Sequence, residues 1–522
     1  MHFSKSLRSS AHCLPSPDGN HIATLFSSVV NIRAVRPLDV VNVIKLPEDF
    51  TGPVLTFKWS PSSRLLLVAT ADHIRVVSAL DSSFNAAIRN PVSLGTKPAY
   101  VGFGASDSEV CVISPFGLKF ALFDLVSSKA TEVASPKFFS PSTACTCFSF
   151  RPQSRHLALL TRVAGKDMIS IHGFPGRELQ KSWASDTIDA HGLAWSPDGR
   201  WLVVWDSPAQ GHKVLFYTSD GHIFKTWSGP ANPPLRDRDY TVGAGVKLVQ
   251  FSADSRYLAV GDCSRSLCIL NMASVNEALR LQHPTSLVPL DTSQVWQEQI
   301  GISQTGPSIH TFIRTSQVIS PTPRPPDSSN ADTLAGCVFI AFDPSSALVV
   351  TRLEDSPSTA WIWDSQVAEL RAVLLFHGDI RSLSWHPTIL ETLLIKCEGD
   401  QYNGVVFVWD PLSEGPRSVD FAQHFPGAKS SGNARALWLG HDVSSPPAIF
   451  LSDARNYVLA SLAESDQSSP WGDQASPNPS TTGRREESPL ELVPASETGQ
   501  KTQDLEQDEE DSVLEDTFVY KR

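Results

Sequence analysis

Residues 193–206 read LAWSPDGRWLVVWD. Within them, Ser196-Pro197-Asp198-Gly199 fits a type I turn: proline at the second position already holds the required φ, and glycine suits the fourth. Apolar residues flank the turn on both sides, so the stretch predicts a β-hairpin. It ends in Trp205-Asp206. Whether that pair closes a repeating unit depends on whether the hairpin recurs at a fixed spacing.

It does recur. The residue just before each comparable turn is Pro15, Trp59, Phe103, Phe150, Trp195, Phe251, Phe342, Trp385 and Trp438, in stretches such as FKWSPSSRLLLVA and VQFSADSRYLAVG. The steps between them are 44, 44, 47, 45, 56, 91, 43 and 53 residues. A period near 40–45 residues is that of WD-repeat propeller blades. In such a repeat a Trp-Asp pair closes the third strand. Trp363-Asp364, counted from its anchor Phe342, and Trp409-Asp410, counted from Trp385, both fall at that position. Trp205 follows its anchor Trp195 too closely and lies inside the second strand, and the corresponding place in its unit is near Tyr217. The pair in the opening stretch is an accident of repeat phase.

The fold class predicted is all-β: a single WD-repeat β-propeller of seven to nine blades. A blade of four short strands cannot cover both of its faces alone, so blades stack around an axis. Second strands such as RLLLVAT and RWLVVW are almost wholly apolar, as strands covered on both faces should be. Two separate seven-bladed rings would need more chain than 522 residues. The propeller is expected over residues 1–463, with an insertion at 282–333 whose ISPTPRPPDSSNAD reads as an exposed loop projecting from one blade edge. Residues 464–522 read as a disordered, acidic, Ser/Pro-rich tail.

Composition agrees with many turns, with 38 Pro and 30 Gly. No apolar run reaches the length of a membrane span, and the start MHFSKSLRSSAHCLPSPDG lacks a signal-peptide core. Eight cysteines, scattered singly or nearly so from Cys13 to Cys397, suit a reducing compartment better than a disulfide framework, which points to cytoplasm or nucleus. The tail holds 15 acids and 5 bases, so it carries −10 of the chain's −12. The remainder is almost neutral and shows no basic stripe, which argues against nucleic acid as a partner.

Catalytic chemistry is thin. There is no P-loop, nucleophile elbow, His-Glu-x-x-His or dinucleotide fingerprint. Cys145 and Cys147 share one strand face, but a closed zinc site needs four ligands and no second cysteine pair exists, so His156 receives no ligand role. His191, His212 and His222 sit beside glycine in turn-like contexts that suit capping and hydrogen bonding. No enzyme, cofactor or metal is expected.

The order RWLVVWDSPAQGHKVLFYTSDGHIFKTW, then GVKLVQFSADSRYLAVGDCSRSLCILN, then QHPTS before a long insertion resembles the WD repeat-containing protein 8 family of centrosomes and fungal spindle poles. The start MHFSKSLRSSAHCLPSPDG is similar too, and the nine degenerate turns match that family's layout over roughly residues 1–460. The acidic tail has no counterpart in the resemblance. The resemblance implies a non-enzymatic adaptor at a microtubule-organising centre in the cytoplasm and cytoskeleton. It would bind a coiled-coil spindle-pole anchoring protein of the Msd1/SSX2-interacting type to anchor microtubule minus ends and support the mitotic spindle. A kinesin-14, and the gamma-tubulin complex indirectly, would be further partners; no membrane is implied. Two other readings remain open: a propeller-type translation initiation factor, where a basic extension would be expected, and a WD-repeat substrate receptor of a ubiquitin ligase.

Ser469, Ser476 and Ser488 each precede proline in the tail and are candidate sites for proline-directed mitotic kinases, whereas Ser16, Ser60 and Ser196 precede proline inside turns. For the partner surface, the loops after VVWDSPAQGHK and LEDSPSTA are candidates because they lengthen their blades between second and third strands. The terminal LEDTFVYKR, with Phe518 and Tyr520, is the competing site.

Overall fold

Why the turn residues recur is visible in the backbone. In the computed structural model, each anchor lies at or beside the end of a first strand: Pro15 ends Cys13–Pro15, Trp59 ends Thr56–Trp59, Trp195 ends Ala190–Trp195, and Trp438 is next to the end of Arg435–Leu439. A few residues on, the chain turns through a left-handed position, occupied by Gly19 (φ 71°), Ser63 (φ 64°), Gly199 (φ 70°), Ser255 (φ 61°) and Ser346 (φ 61°). Glycine takes this conformation at no steric cost, and serine at a small one. The second strand then runs back along the first.

The structure describes all residues except 49, 51, 90–95, 138–146, 231–244, 291, 303–307, 322–335, 426–433, 441–445, 464–469, 472–517 and 521–522. Among the described residues there are nine sheets, each built around three or four consecutive antiparallel strands, and no α-helix. The protein is a nine-bladed β-propeller. Blades 1 to 8 span residues 13–45, 56–89, 100–134, 148–184, 190–227, 246–282, 337–375 and 380–420. Blade 9 takes three strands from residues 435–461 and its outer strand from the other end of the chain.

First strands of successive blades touch one another, as Thr56–Trp59 touches Tyr100–Phe103 and Phe148–Phe150 touches Ala190–Trp195, so they lie nearest the axis. Second strands are covered on both faces: every residue of Glu109–Ile113, Leu202–Asp206 and Leu393–Cys397 is buried. Each such leucine, isoleucine or valine contributes about 1.5–3 kcal/mol. Fourth strands such as Val40–Lys45 and Lys129–Ala134 are mostly exposed along the circumference. Trp205 lies in the second strand Leu202–Asp206, while Tyr217 ends the third.

The ring is closed by its N-terminus. His2 and Phe3 pair with Ser461 and Ala460, and Leu7 and Arg8 pair with Tyr457 and Asn456. Between the two short pairings, the Ser4 amide donates to the Leu459 carbonyl at 2.9 Å and the Leu459 amide donates to Ser4 Oγ at 2.9 Å.

Two expectations need correction. The 282–333 insertion is more than an exposed loop: Gln294–Ile302 and Ser308–Arg314 form a hairpin that extends blade 7 to six strands, the first running parallel to Leu370–Leu375. The tail touches the ring at two described places. Trp471 is buried between blades 1 and 9 against Val35, Leu38 and Leu439, and Phe518–Tyr520 pairs with the outer strand of blade 2. Ser469, Ser476 and Ser488 lie outside the described residues.

Deleting residues 2–9 removes the outer strand of blade 9 and leaves its third strand as a raw edge. The shortened protein is expected to melt at least about 5 °C lower than the full chain, with early proteolytic cuts in residues 435–461. Unchanged melting would show that the N-terminal pairing does not close the ring.

Candidate interaction surfaces

Because strands alternate in direction, each blade sends its first-to-second and third-to-fourth connections to one rim of the ring. The second-to-third and blade-to-blade connections go to the other rim.

On the first rim the repeated turns bind themselves and then each other. In blade 5, Ser196 Oγ donates to Asp198, Asp198 Oδ1 accepts the Arg200 amide at 3.1 Å, and Ser196 Oγ accepts the Trp201 amide at 3.0 Å. Blade 1 repeats this with Ser16 and Asp18, and blade 6 with Ser252 and Asp254. The left-handed serine of the following blade then caps the turn: the Asp18 amide donates to Ser63 Oγ at 3.0 Å, and the Asp198 amide to Ser255 Oγ at 2.9 Å. Burial alone would raise the Asp254 carboxyl, but hydrogen bonds from Ser252, the Arg256 amide and Ser346 outweigh it and hold the group below its usual range. Blades 3 and 4 replace the serine contact with a buried ion pair. Arg177 Nε and a terminal nitrogen donate to the two Glu109 oxygens at 2.7 and 2.5 Å, both side chains being 2% exposed. Removing one partner of such a pair strands the other charge.

On the opposite rim the blades are clamped by side chains. Lys137 Nζ lies 3.0 Å from Asp167 and 2.8 Å from Asp189, joining blades 4 and 5. His212 Nε2 lies 3.2 Å from Asp262, joining blades 5 and 6. Lys247 pairs with Glu354, and Arg265 with Asp355, joining blades 6 and 7. The two loops expected to greet a partner are therefore engaged in the ring: the 207–213 loop carries His212, and the 354–358 loop carries Glu354 and Asp355. His191 is partly buried, and burial depresses its pKa despite the nearby Asp189. The backbone of His222 closes a turn on Thr218. Cys147 is buried and Cys145 lies outside the described residues. His156 is a turn residue whose carbonyl accepts the Arg151 amide at 2.8 Å. Among the described residues no group of three or more His, Cys, Asp or Glu could hold a metal ion.

The two Trp-Asp pairs end or follow third strands, Thr359–Asp364 and Val405–Trp409, but their indoles differ. The Trp363 N–H donates to Thr351 Oγ1 at 3.2 Å. That hydroxyl donates to His283 Nε2 at 2.7 Å, and His283 Nδ1–H donates to the Arg265 carbonyl at 2.8 Å. In blade 8 the strand register puts Ile395 where blade 7 has Thr351. The buried Trp409 N–H accordingly has no acceptor.

A second buried cluster fastens the inserted hairpin. Glu298 accepts from His310 Nδ1 at 2.7 Å, from Tyr402 OH at 2.6 Å and from the His377 amide at 2.8 Å. Burial would raise the Glu298 carboxyl, but these three donors outweigh it and hold it low. Hairpin, blade 7 and blade 8 are thus joined at one carboxylate.

Several large apolar side chains remain exposed on this rim. Phe116, 89% exposed with φ 59°, and Leu118 stand between second and third strands of blade 3; Val163 and Ile188 stand on the same rim of blades 4 and 5. A non-glycine aromatic held in the left-handed region and pointed at solvent is a candidate contact.

Thr351→Val removes the acceptor of Trp363 and the donor to His283, and is expected to cost about 1–3 kcal/mol. Burial lowers the His283 pKa from 6.5 to about 4. Between those values the unfolded chain binds a proton that the folded ring refuses, so stability falls as the pH drops through that window. Melting curves taken from pH 7 to 4 should show a shallower loss for His283→Gln than for the native chain; equal slopes would remove the assignment.

No family model matches the sequence. A curated mouse protein, WD repeat-containing protein WRAP73, is 24% identical over 435 residues, covering 79% of this chain and 87% of its own. An uncharacterized WD repeat-containing protein of Schizosaccharomyces pombe, C32H8.09, is 23% identical over 482 residues, covering 88% and 91%. Among solved structures, the dihydro-heme d1 dehydrogenase NirN in complex with DHE covers 80% of this chain and 77% of its own at 13% identity and TM-score 0.46. The β-propeller domain of Myceliophteria thermophila Cps50 (Swd1) covers 68% and 97% at 13% identity and TM-score 0.35. At those scores neither bears on function. Nine blades built on recurrent turns, together with similarity to two WD-repeat proteins matched along most of their length, support a WD-repeat family for this chain.

Proposed function

We propose that this protein is a non-enzymatic adaptor of the WD repeat-containing protein 8 type, acting at the spindle pole or centrosome. It holds a coiled-coil protein of the Msd1/SSX2-interacting type and so helps anchor microtubule minus ends. WD-repeat propellers typically serve as scaffolds for protein–protein interactions, and the chain's similarity to two WD-repeat proteins supports that class. The spindle-pole assignment rests on the resemblance of residues 195–271 and of the start of the chain.

The observation that carries the scaffold reading is where the ring places its buried charge. Arg177–Glu109 holds blade 4 to blade 3, Lys137–Asp167 pins the connection entering blade 4, and Tyr402 donating to Glu298 holds the inserted hairpin against blade 8. The exposed rim of blades 3 to 5 presents Phe116, Leu118, Val163 and Ile188, spread over three blades. An amphipathic helix of a coiled-coil protein reads such a surface through apolar anchors on one face. A partner bound this way needs the intact ring and does not need the tail.

A fluorescent fusion followed through mitosis should concentrate at spindle poles, and residues 1–463 should recover a coiled-coil partner as well as the full chain does. Phe116→Asp should weaken that recovery at least about tenfold if the apolar rim is the contact. Diffuse signal throughout mitosis, or an isolated tail that captures the partner as well as the full chain, would overturn the reading.

A further inference from the structure

The circumference of a propeller is a ring of outer strands whose backbone donors and acceptors face outward. Two blades here cover that edge by adding strands. Blade 7 does so with the Gln294–Ile302 hairpin, which follows directly in sequence from blade 6. Blade 2 does so with the far end of the chain: Phe518, Val519 and Tyr520 pair antiparallel with Ile88, Ala87 and Ala86.

The receiving strand, Asn85–Arg89, differs from the outer strands of the blades on either side. The outer strands of blades 1, 3 and 4, Val40–Lys45, Lys129–Ala134 and Leu179–Ala184, are exposed over most of their length. In blade 2, Ala86 and Ile88 are 6% and 1% exposed, and they pack in the core shared with blade 3. This strand is therefore pinned by its own side chains, while two adjacent alanines at 86 and 87 keep its outer edge low. Its start opens on a cavity of about 360 Å³ between blades 1 and 2, walled by the apolar Val43, Leu46 and Phe84 and the polar Asn42, Arg75 and Asp81, and reaching Asn85. A rigid strand with small residues at the edge and a cleft of mixed apolar and polar lining beside it suits strand addition: main-chain bonds supply affinity and the cleft supplies selectivity.

We infer that the outer edge of blade 2 is a docking site for a short extended peptide, and that its resident occupant is this chain's own Phe518–Tyr520. The occupant is held in cis. Trp471, buried at the junction of blades 1 and 9, fixes the start of the tail one blade away from the docking strand. Residues 472–517 link Trp471 to Phe518. The pairing is short and tethered, so it closes an otherwise raw edge yet gives way to a longer strand that offers more main-chain bonds. The site is on the circumference of blade 2, distinct from the rim of blades 3 to 5, and stands whether or not the adaptor reading holds.

The test uses a fluorescent synthetic peptide of residues 512–522, SVLEDTFVYKR, added in trans. The chain ending at residue 511 should bind it at least about tenfold more tightly than the full chain, whose site is filled. Val519→Pro in the full chain removes a ladder donor and breaks the added strand without touching the ring. It should raise peptide binding to the level of the truncated chain and speed amide exchange in residues 85–89, leaving the melting temperature of the ring within about 2 °C. Absence of peptide binding to the truncated chain, or exchange at residues 85–89 unaltered by Val519→Pro, would overturn the site. A dimer of the full chain that dissociates when residues 512–522 are removed would overturn the cis assignment.

Discussion

Everything in this molecule depends on covering both faces of every sheet. A blade of four short strands buries a face against each neighbour, so an open row of blades always ends in two bare apolar faces. Joining the ends removes them. The chain does so by giving its N-terminus to blade 9, where His2–Phe3 and Leu7–Arg8 complete the sheet made by residues 435–461. The two parts of that sheet come from opposite ends of the ring-forming chain. Loop-closure entropy grows only slowly with the length of chain between the contacts, so so distant a pairing remains within reach of a few strand bonds and the apolar faces they bring together.

Stacking of apolar faces brings blades together without saying how they should align. Polar contacts at both rims settle that. On one rim the left-handed serine of one turn caps the aspartate turn before it, as Ser255 caps Asp198. On the other, Lys137, His212, Lys247 and Arg265 each reach a carboxylate on a neighbouring blade or its connecting loop. Directional bonds at the two ends of a blade fix its tilt, while the second strands between them supply the non-directional burial. The arrangement leaves the connecting loops busy with one another. The loops at 207–213 and 354–358, long enough to suggest contact with a partner, are part of the clamp.

The Trp-Asp pairs show how the same two residues do different work. Trp363 is wired through Thr351 to His283, whereas Trp409 has Ile395 at that place and contributes packing alone, its ring 6.4 Å from that of Trp385. One residue on the neighbouring strand, at a position set by register, decides whether the indole N–H is bonded.

From the residues alone one could read the nine first-strand anchors, the turn chemistry at Ser196–Gly199, the apolar second strands and the demotion of Trp205 to a second strand. All of these are local: a turn is specified by its serine, proline or aspartate and a left-handed residue within four positions, and a doubly covered strand by an unbroken apolar run. The inserted hairpin is harder to read. Gln294–Ile302 carries Val, Trp and Ile, as strands do, but its partner Leu370–Leu375 lies parallel and on the far side of the whole inner part of blade 7, and nothing local specifies such a pairing. The terminal strand, the burial of Trp471 and the carboxylate Glu298 shared by three donors were likewise invisible, because a buried charge or a short edge strand is defined by what surrounds it. The repeat, and hence the propeller, belongs to the sequence; the closure, the clamps and the occupied edges were decided only when distant segments met in the folded ring.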